Sequence, residues 1–223
     1  MTEQKKYPRV RDALEKKEKL IVENLKNNGI EQSSLQILIT AYKAEKKLHI
    51  YGKNHGEDTI KLIAEYDICR SSGNLGPKRE QGDNQIPEGF YHIDRFNPSS
   101  NYHLSLGINY PNASDKKKGL GKNLGGDIFI HGSCVTIGCL PMTDDKIKEI
   151  YLYAAYAKNN GQNKIPVYIF PFQMSDDNFK RRAENQHVEL NEFWKNLKEG
   201  YDIFEKEKKI LSVSVDANGN YLF

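Results

Sequence analysis

A twelve-residue stretch from Phe129 to Leu140 constrains this chain more than any other part of its sequence. An apolar run typical of a β-strand ends at His131, a short loop with two glycines follows, and Cys139 stands just before a helical pattern. A cysteine attacks as its thiolate, and both a neighbouring imidazole and the positive end of a helix can lower the pKa of the thiol. His131 and the helix predicted to begin near Thr143 are the candidates for these two roles.

The loop between the histidine and the cysteine also suits a reaction on a carbonyl group. Gly132 and Gly138 let the main chain approach a substrate closely, and amides around Gly138 and Cys139 are placed to face a developing oxyanion. This order of residue types predicts acyl transfer, with Cys139 as the nucleophile and His131 as the base.

Two other interpretations of the same residues remain open. A buried cysteine is often a small apolar residue, and a histidine after a strand is often a hydrogen-bonded structural residue. His131, Cys134 and Cys139 also offer three ligands for a metal ion. Zinc normally takes a fourth ligand, and the C-x-x-C spacing of structural zinc sites is absent, so we rank a metal site below catalysis.

Length and composition exclude several classes of protein. The 223 residues are 38% hydrophobic, enough for one good core, so we expect a single domain. The 33 basic and 30 acidic residues are interspersed and give a net charge of +3, which argues against a nucleic-acid-binding surface. No run approaches the roughly 20 apolar residues of a membrane span. Met1 to Lys6 lacks the apolar core of a signal peptide, so we expect either a cytoplasmic protein or an exported one whose leader has been removed.

Three cysteines leave at least one thiol unpaired. In an oxidising compartment Cys69 and Cys134 are expected to bond and to hold the loop around Cys134, which leaves Cys139 free. Two buried free thiols at positions 69 and 134 are the alternative, and the sequence does not decide between them.

The rest of the chain alternates predicted strands and helices. Helices are predicted over 8–28, from Thr143 towards 159, and around 187–197 with Trp194 as a core residue. Strands are predicted over 35–40, 47–51, 60–69, 86–93, 97–106 and 165–172, with a terminal hairpin within 210–222. Segment 71–83 is rich in turn residues and is predicted to be a functional loop, and segment 110–118 a surface loop. These elements predict a mainly β domain with peripheral helices, of α+β class, in which an amphipathic helix occupies 1–30 and the main domain 31–223.

Five blocks in the same order resemble one family, the L,D-transpeptidase catalytic domain of YkuD type, and within it the YafK-like subgroup that includes the DpaA peptidoglycan amidase. The blocks are SSGNLGPKREQGDNQIPEGFYHI, NYPNASD, IFIHGSCVTIGCLPMTD, VYIFPFQMSDDN and FWKNLKEGYDIFE. The resemblance covers about residues 35–222. It implies a β-sandwich-like catalytic domain, a periplasmic location after removal of a leader, and no cofactor.

The resemblance also implies roles for individual residues. Cys139 matches the nucleophile, His131 its base, and Gly138 the backbone beside the oxyanion. Weaker candidates for contacts to substrate are His92, Tyr110, Gly132 and Thr136. The family's usual Ser-His-Gly-Cys element followed by arginine is replaced here by Thr136-Ile137-Gly138-Cys139 and then Leu140.

The expected chemistry is acyl transfer on the stem peptides of peptidoglycan. Cys139 would attack the carbonyl on the L-centre of meso-diaminopimelate, His131 would protonate the leaving amine, and a thioester would form. Water as the acceptor makes a hydrolase that releases a terminal residue or a wall-linked lipoprotein. An amine as the acceptor makes a transpeptidase that forms 3-3 crosslinks or attaches lipoprotein. A non-catalytic peptidoglycan-binding module is the alternative of another class, although a pure binder needs no reactive thiol.

Overall fold

The computed structural model describes residues 1–183 and 186–223, and its centre is one mixed β-sheet. The strands are β1 (Leu35–Tyr42), β2 (Lys47–Asn54), β3 (Lys61–Asp67), β4 (Gly89–Asn97), β5 (Ser105–Ile108), β6 (Phe129–His131), β7 (Leu140–Pro141), β8 (Ile165–Phe170), β9 (Ser214–Val215) and β10 (Tyr221–Leu222). Eight of them form a sheet in the order β3-β2-β1-β8-β4-β5-β6-β7, and β9 and β10 form a separate antiparallel pair. Only the pairs β1–β8 and β6–β7 in the large sheet are parallel.

Helices cover both faces of the sheet. They are α1 (Pro8–Asn27), α2 (Ala113–Lys118), α3 (Asp144–Asn159), α4 (Asp176–Ala183) and α5 (Val188–Glu207), with short 3-10 turns at Gln4–Lys6 and Gln32–Ser34. Within the described ranges, no helix is both long enough and apolar enough to span a membrane.

Strand β1 is almost continuously apolar because both of its faces are buried. Successive side chains of a strand point to opposite faces, so Ile37 and Ile39 join the core under α1 and α3, whereas Leu38 and Tyr42 join the core under α5. Both cores exclude water, so a strand between them carries apolar residues on both faces.

The two covering layers use different packing. Helix α1 packs on α3, and its buried side chains, such as Val10 and Ile21, share one apolar cluster with the sheet. On the other face, α5 contributes a run of aromatic residues, of which Trp194 and Phe204 are fully buried. Burying each large apolar side chain stabilises the fold by roughly 1.5–3 kcal/mol, so the helices hold the sheet from both sides.

The α+β class with a central sheet is confirmed, as are the terminal hairpin and the core position of Trp194. The layers over the large sheet are helices. Four local features differ from the predictions. Segment 110–118 is not only a loop, because Asn112 and Asp115 form a capping box that starts α2. Helix α5 extends well beyond the predicted 187–197, and α4 was not predicted. Strand β5 begins at Ser105, so most of 97–106 is irregular.

A buried ion pair holds the long segment 71–88 onto the sheet. The Lys43 ammonium, just after β1, lies 2.8 Å from a Glu88 carboxylate oxygen, and both side chains are almost fully buried. The same ammonium donates to the carbonyls of Gly76 and Ile86, and Glu88 also accepts from the Gly76 amide and the Trp194 indole. Because every polar partner is satisfied inside the protein, the segment has a defined path past the end of the sheet.

Candidate active site

Parallel pairing of β6 with β7 brings the predicted nucleophile and base together. Ile130 lies opposite Leu140, and His131 lies opposite Pro141. Cys139 immediately precedes β7, so the register places it beside the β6 strand that ends in His131. The segment between the two strands is the loop identified from the sequence. The pairing of β6 with β7 holds the two ends of this loop together.

Both side chains line one open cavity of about 430 Å³. The lining residues come from three segments and are Arg70, Ser71, Ser72, Tyr102, His131, Val135, Thr136, Ile137 and Cys139. Val135 and Ile137 are exposed apolar residues at its edge, with 48% and 80% of their surface accessible. A cavity of this size and openness can admit part of a peptide.

The loop between β6 and β7 is tied to its surroundings at several points. Cys134 forms a disulfide with Cys69, with 5.7 Å between the Cα atoms, so the structure has the bridged form of the two options that the sequence left open, and Cys139 is the free thiol. The Ser133 amide donates to the Asp144 carboxylate at 2.8 Å, which joins the loop to the start of α3. These connections reduce the freedom of the chain that carries the nucleophile.

His131 is oriented by its own neighbour in sequence. Its Nδ1 lies within hydrogen-bond distance of the Gly132 carbonyl, which can only accept, so Nδ1 carries the proton and Nε2 is left as the base. The Tyr102 ring lies 4.7 Å from the imidazole, centroid to centroid, and covers it. The imidazole is 2% exposed, and burial lowers its pKa below the ordinary value, so it is neutral at neutral pH.

The Cys139 thiol is protonated in the resting site, which corrects the expectation of a lowered pKa. Burial raises the pKa of Cys139, and this effect exceeds the opposing hydrogen bond from the Phe129 amide. The nearby Asp127 carboxylate raises the pKa further, and Lys78 acts against it. The thiol donates to the Asp127 carbonyl at 3.6 Å. The two groups therefore start as a thiol and a neutral imidazole, so an attack by the sulfur would require its proton to move to a base such as His131.

Thr136 holds the main chain around the nucleophile. Its hydroxyl oxygen accepts from the amides of Gly138 at 3.1 Å and Cys139 at 2.8 Å, and the hydroxyl donates to the Cys139 carbonyl at 2.8 Å. Gly138 has a φ of +132°, a conformation that favours glycine. The two amides that the sequence suggested for an oxyanion are thus bonded to a threonine hydroxyl, and a substrate oxygen would have to compete with it.

Three other predicted substrate contacts do not line the cavity. Gly132 is buried, and a Cβ there would come within 2.7 Å of the Asp144 carboxylate, so its small size serves packing. Tyr110 is buried, and its hydroxyl donates to the carbonyls of Lys78 and Leu124. His92 lies within β4, where its main chain pairs with Pro166 on β8.

Two lining residues were not singled out from the sequence. Tyr102 lies in an irregular segment between β4 and β5 and carries no local motif. Arg70 follows Cys69 directly, and the only available signal was its position at the start of the segment 71–83 that was predicted to be functional. Both reach the cavity through tertiary contacts.

Cys134 is bonded to Cys69, so it is not available as a metal ligand beside His131 and Cys139. In the part of the chain that the structure describes, no group of three or more His, Cys, Asp or Glu side chains is arranged to hold a metal ion.

The buried, neutral imidazole gives a prediction for pH dependence. A group whose pKa is lowered by burial stays unprotonated until the pH falls below its ordinary value, which is about 6.5 for histidine. We expect kcat/KM to stay level through pH 7 and to decline on the acid side with a midpoint below about 6.5. A pH profile with saturating and limiting substrate measures this midpoint. A midpoint above 6.5 would contradict the role of His131 as a buried general base.

Comparison with known proteins identifies a family and a similar protein. The family described as the L,D-transpeptidase catalytic domain (YkuD) matches residues 36–169. YafK of Escherichia coli (strain K12), whose name refers to L,D-transpeptidases, is 42% identical over 189 residues, which are 83% of this chain and 73% of YafK.

Solved structures are more distant. The helical cell shape determining protein Pgp2 from Campylobacter jejuni is 20% identical with a TM-score of 0.48, covering 87% of this chain and 80% of that one. Bd1075 from Bdellovibrio bacteriovorus is 21% identical with a TM-score of 0.45, covering 82% and 76%. The extent of the family match and the identity to YafK establish that this chain belongs to the L,D-transpeptidase catalytic domain family.

Proposed function

We propose that this protein is a peptidoglycan-modifying cysteine enzyme that hydrolyses an amide formed by the L-centre carboxyl of meso-diaminopimelate in stem peptides. The observation that supports it most directly is the single free thiol, Cys139, in an open cavity shared with a neutral, oriented His131. The proposal takes residues 31–223 as the catalytic domain, onto which the helix of residues 1–30 packs, and a periplasmic location.

The first half of the reaction forms a thioester. The Cys139 sulfur bonds to the substrate carbonyl carbon while His131 Nε2 takes the thiol proton. The carbon–nitrogen bond then breaks, and His131 delivers the same proton to the leaving amine, which is either a D-amino acid or a lysine of a wall-linked lipoprotein. Gly138 belongs to the backbone on the oxyanion side, where Thr136 holds the amides in place.

Water completes the reaction in this proposal. His131 takes a proton from water as its oxygen attacks the thioester, the carbon–sulfur bond breaks, and the thiol regains a proton. The preference for water rests on two residues of this chain. Ile137 stands two positions before the nucleophile and Leu140 directly after it, so neither offers a polar group to orient an incoming peptide amine.

Product analysis of purified sacculi tests the direction of the reaction. We expect protein-linked or D-amino-acid-terminated muropeptides to yield tripeptides with free carboxylates, because water is the acceptor. The alternative, transpeptidation, would accumulate 3-3 crosslinked dimers from tetrapeptides with no net release of tripeptide, and this result would overturn the hydrolytic proposal. Binding of stem peptides without any product would favour a non-catalytic module instead.

A further inference from the structure

We propose that Arg70 forms, with Ser71 and Ser72, a subsite that binds a carboxylate of the substrate peptide beside the nucleophile. The inference rests on the proposed function for the identity of the peptide. It adds a residue that binds substrate from the segment that directly follows Cys69.

The covalent structure places this arginine close to the nucleophile's loop. Arg70 lines the same cavity as Cys139 and His131. It directly follows Cys69, whose disulfide partner Cys134 belongs to the loop that leads to the nucleophile. The Cys69 amide also donates to the Pro141 carbonyl at 3.0 Å, just beyond Cys139 in the chain. The main chain that carries Arg70 is therefore bonded to both sides of the nucleophile.

The positive charge of the Arg70 guanidinium is not paired with a carboxylate in the part of the protein that the structure describes. Arg79 and Arg95 make ion pairs within the protein, with Asp115 at 3.5 Å and Asp127 at 3.1 Å respectively. Among residues 1–183 and 186–223, no carboxylate lies within ion-pair distance of Arg70, whose side chain is exposed. His131 is neutral, so Arg70 is the one permanent charge among the described residues that line the cavity.

The neighbouring serine supplies a second, independent observation. The Ser72 hydroxyl oxygen is buried and has no hydrogen-bond partner in the described part of the protein. A buried hydroxyl without a partner costs free energy, and most such groups in folded proteins are paired with protein or ligand. Ser72 lines the cavity two residues after Arg70, so a rotation about its Cα–Cβ bond would turn this unused hydroxyl towards a ligand oxygen bound by the guanidinium.

The chemistry of the pair fits a carboxylate. A guanidinium presents parallel N–H donors that match the two oxygens of a carboxylate, and a hydroxyl adds a further donor. The stem peptide of the proposed function carries several free carboxylates close to the scissile amide. A fixed cation on one wall would set the direction in which such a peptide lies across Cys139.

Binding to an inactive variant tests the subsite without relying on turnover. In a Cys139→Ala background, titration calorimetry would compare Arg70 with Arg70→Gln, using the tetrapeptide L-Ala-γ-D-Glu-meso-diaminopimelate-D-Ala. Losing one charged hydrogen-bonding group is expected to weaken binding by about 10–100-fold. Peptides amidated at one carboxylate at a time identify the partner. The peptide that lacks the recognised carboxylate should bind the two proteins equally weakly.

Matched variants separate recognition from a structural effect. Arg11→Gln, on the exposed face of α1, removes an arginine that does not line the cavity and should leave affinity unchanged. Arg70→Lys keeps the charge and should recover part of the affinity. Equal binding by Arg70 and Arg70→Gln, an equal loss for every amidated peptide, or no binding to the parent would each overturn the subsite. Absence of tripeptide product from the unmodified enzyme would contradict the proposed function while leaving this binding result intact.

Discussion

Replacing Cys139 by alanine is expected to abolish turnover on sacculi, by a factor of at least about 10⁴, because it removes the free thiol that carries the acyl group in the proposed reaction. The fold should survive the change. The sulfur makes only weak hydrogen bonds, to the Asp127 carbonyl and from the Phe129 amide, and the disulfide between Cys69 and Cys134 does not involve it. The factor is the ratio of the rates of tripeptide release by the parent protein and the variant, measured at equal concentrations of folded protein.

The matching variant Cys139→Ser replaces the thiol with a smaller hydroxyl, which is a poorer nucleophile, so it should also be inactive. Thermal unfolding of both variants should match that of the parent within a few degrees. Turnover retained by the alanine variant would rule out a covalent mechanism through Cys139. Loss of activity accompanied by unfolding would instead show that Cys139 supports the structure.

The largest expected effect on stability is at the buried ion pair. Glu88→Gln leaves the Lys43 ammonium buried without its counter-charge, and breaking such a pair costs about 3–5 kcal/mol in the free energy of unfolding. For a chain of this size that corresponds to a fall in Tm of roughly 6–20 °C. Burial already lowers the pKa of Lys43, opposed by the attraction to Glu88, and the substitution removes that attraction. Urea and thermal unfolding measure the loss.

An exposed ion pair provides the control for this experiment. Glu192→Gln disrupts the contact to Lys195, where both side chains are more than half exposed, and should change stability by less than about 0.5 kcal/mol. The double substitution Lys43→Met with Glu88→Leu removes both charges and should recover much of the stability. Equal unfolding temperatures for Glu88→Gln and Glu192→Gln would show that the pair does not hold segment 71–88.

The part of the site that was predictable is local in sequence. His131 ends β6 and Cys139 immediately precedes the neighbouring strand β7, so one short stretch contains both residues and the loop that joins them. The disulfide was predictable only as one of two options. Cys69 and Cys134 are 65 residues apart, and their approach depends on β3 and the catalytic loop meeting in space.

The parts that were missed depend on tertiary structure or on burial. Tyr102 covers His131 from an irregular segment, and no periodicity predicts such a contact. The raised pKa of Cys139 results from the loss of water around the thiol, which a sequence pattern does not report. Helix α2 did have a local signal, the Asn112 and Asp115 capping box, but the adjacent proline and lysines indicated a loop more strongly.

The central claim is that a stem peptide becomes bound to Cys139 as a thioester. Rapid mixing of the enzyme with excess tetrapeptide, followed by an acid quench and mass analysis of the digested protein, tests it most directly. The account predicts a tripeptide acyl group on the fragment that contains Cys139, formed before free tripeptide reaches its steady rate and absent from Cys139→Ala. Steady release of tripeptide with no acyl group on that fragment, or an identical adduct in the alanine variant, would contradict it.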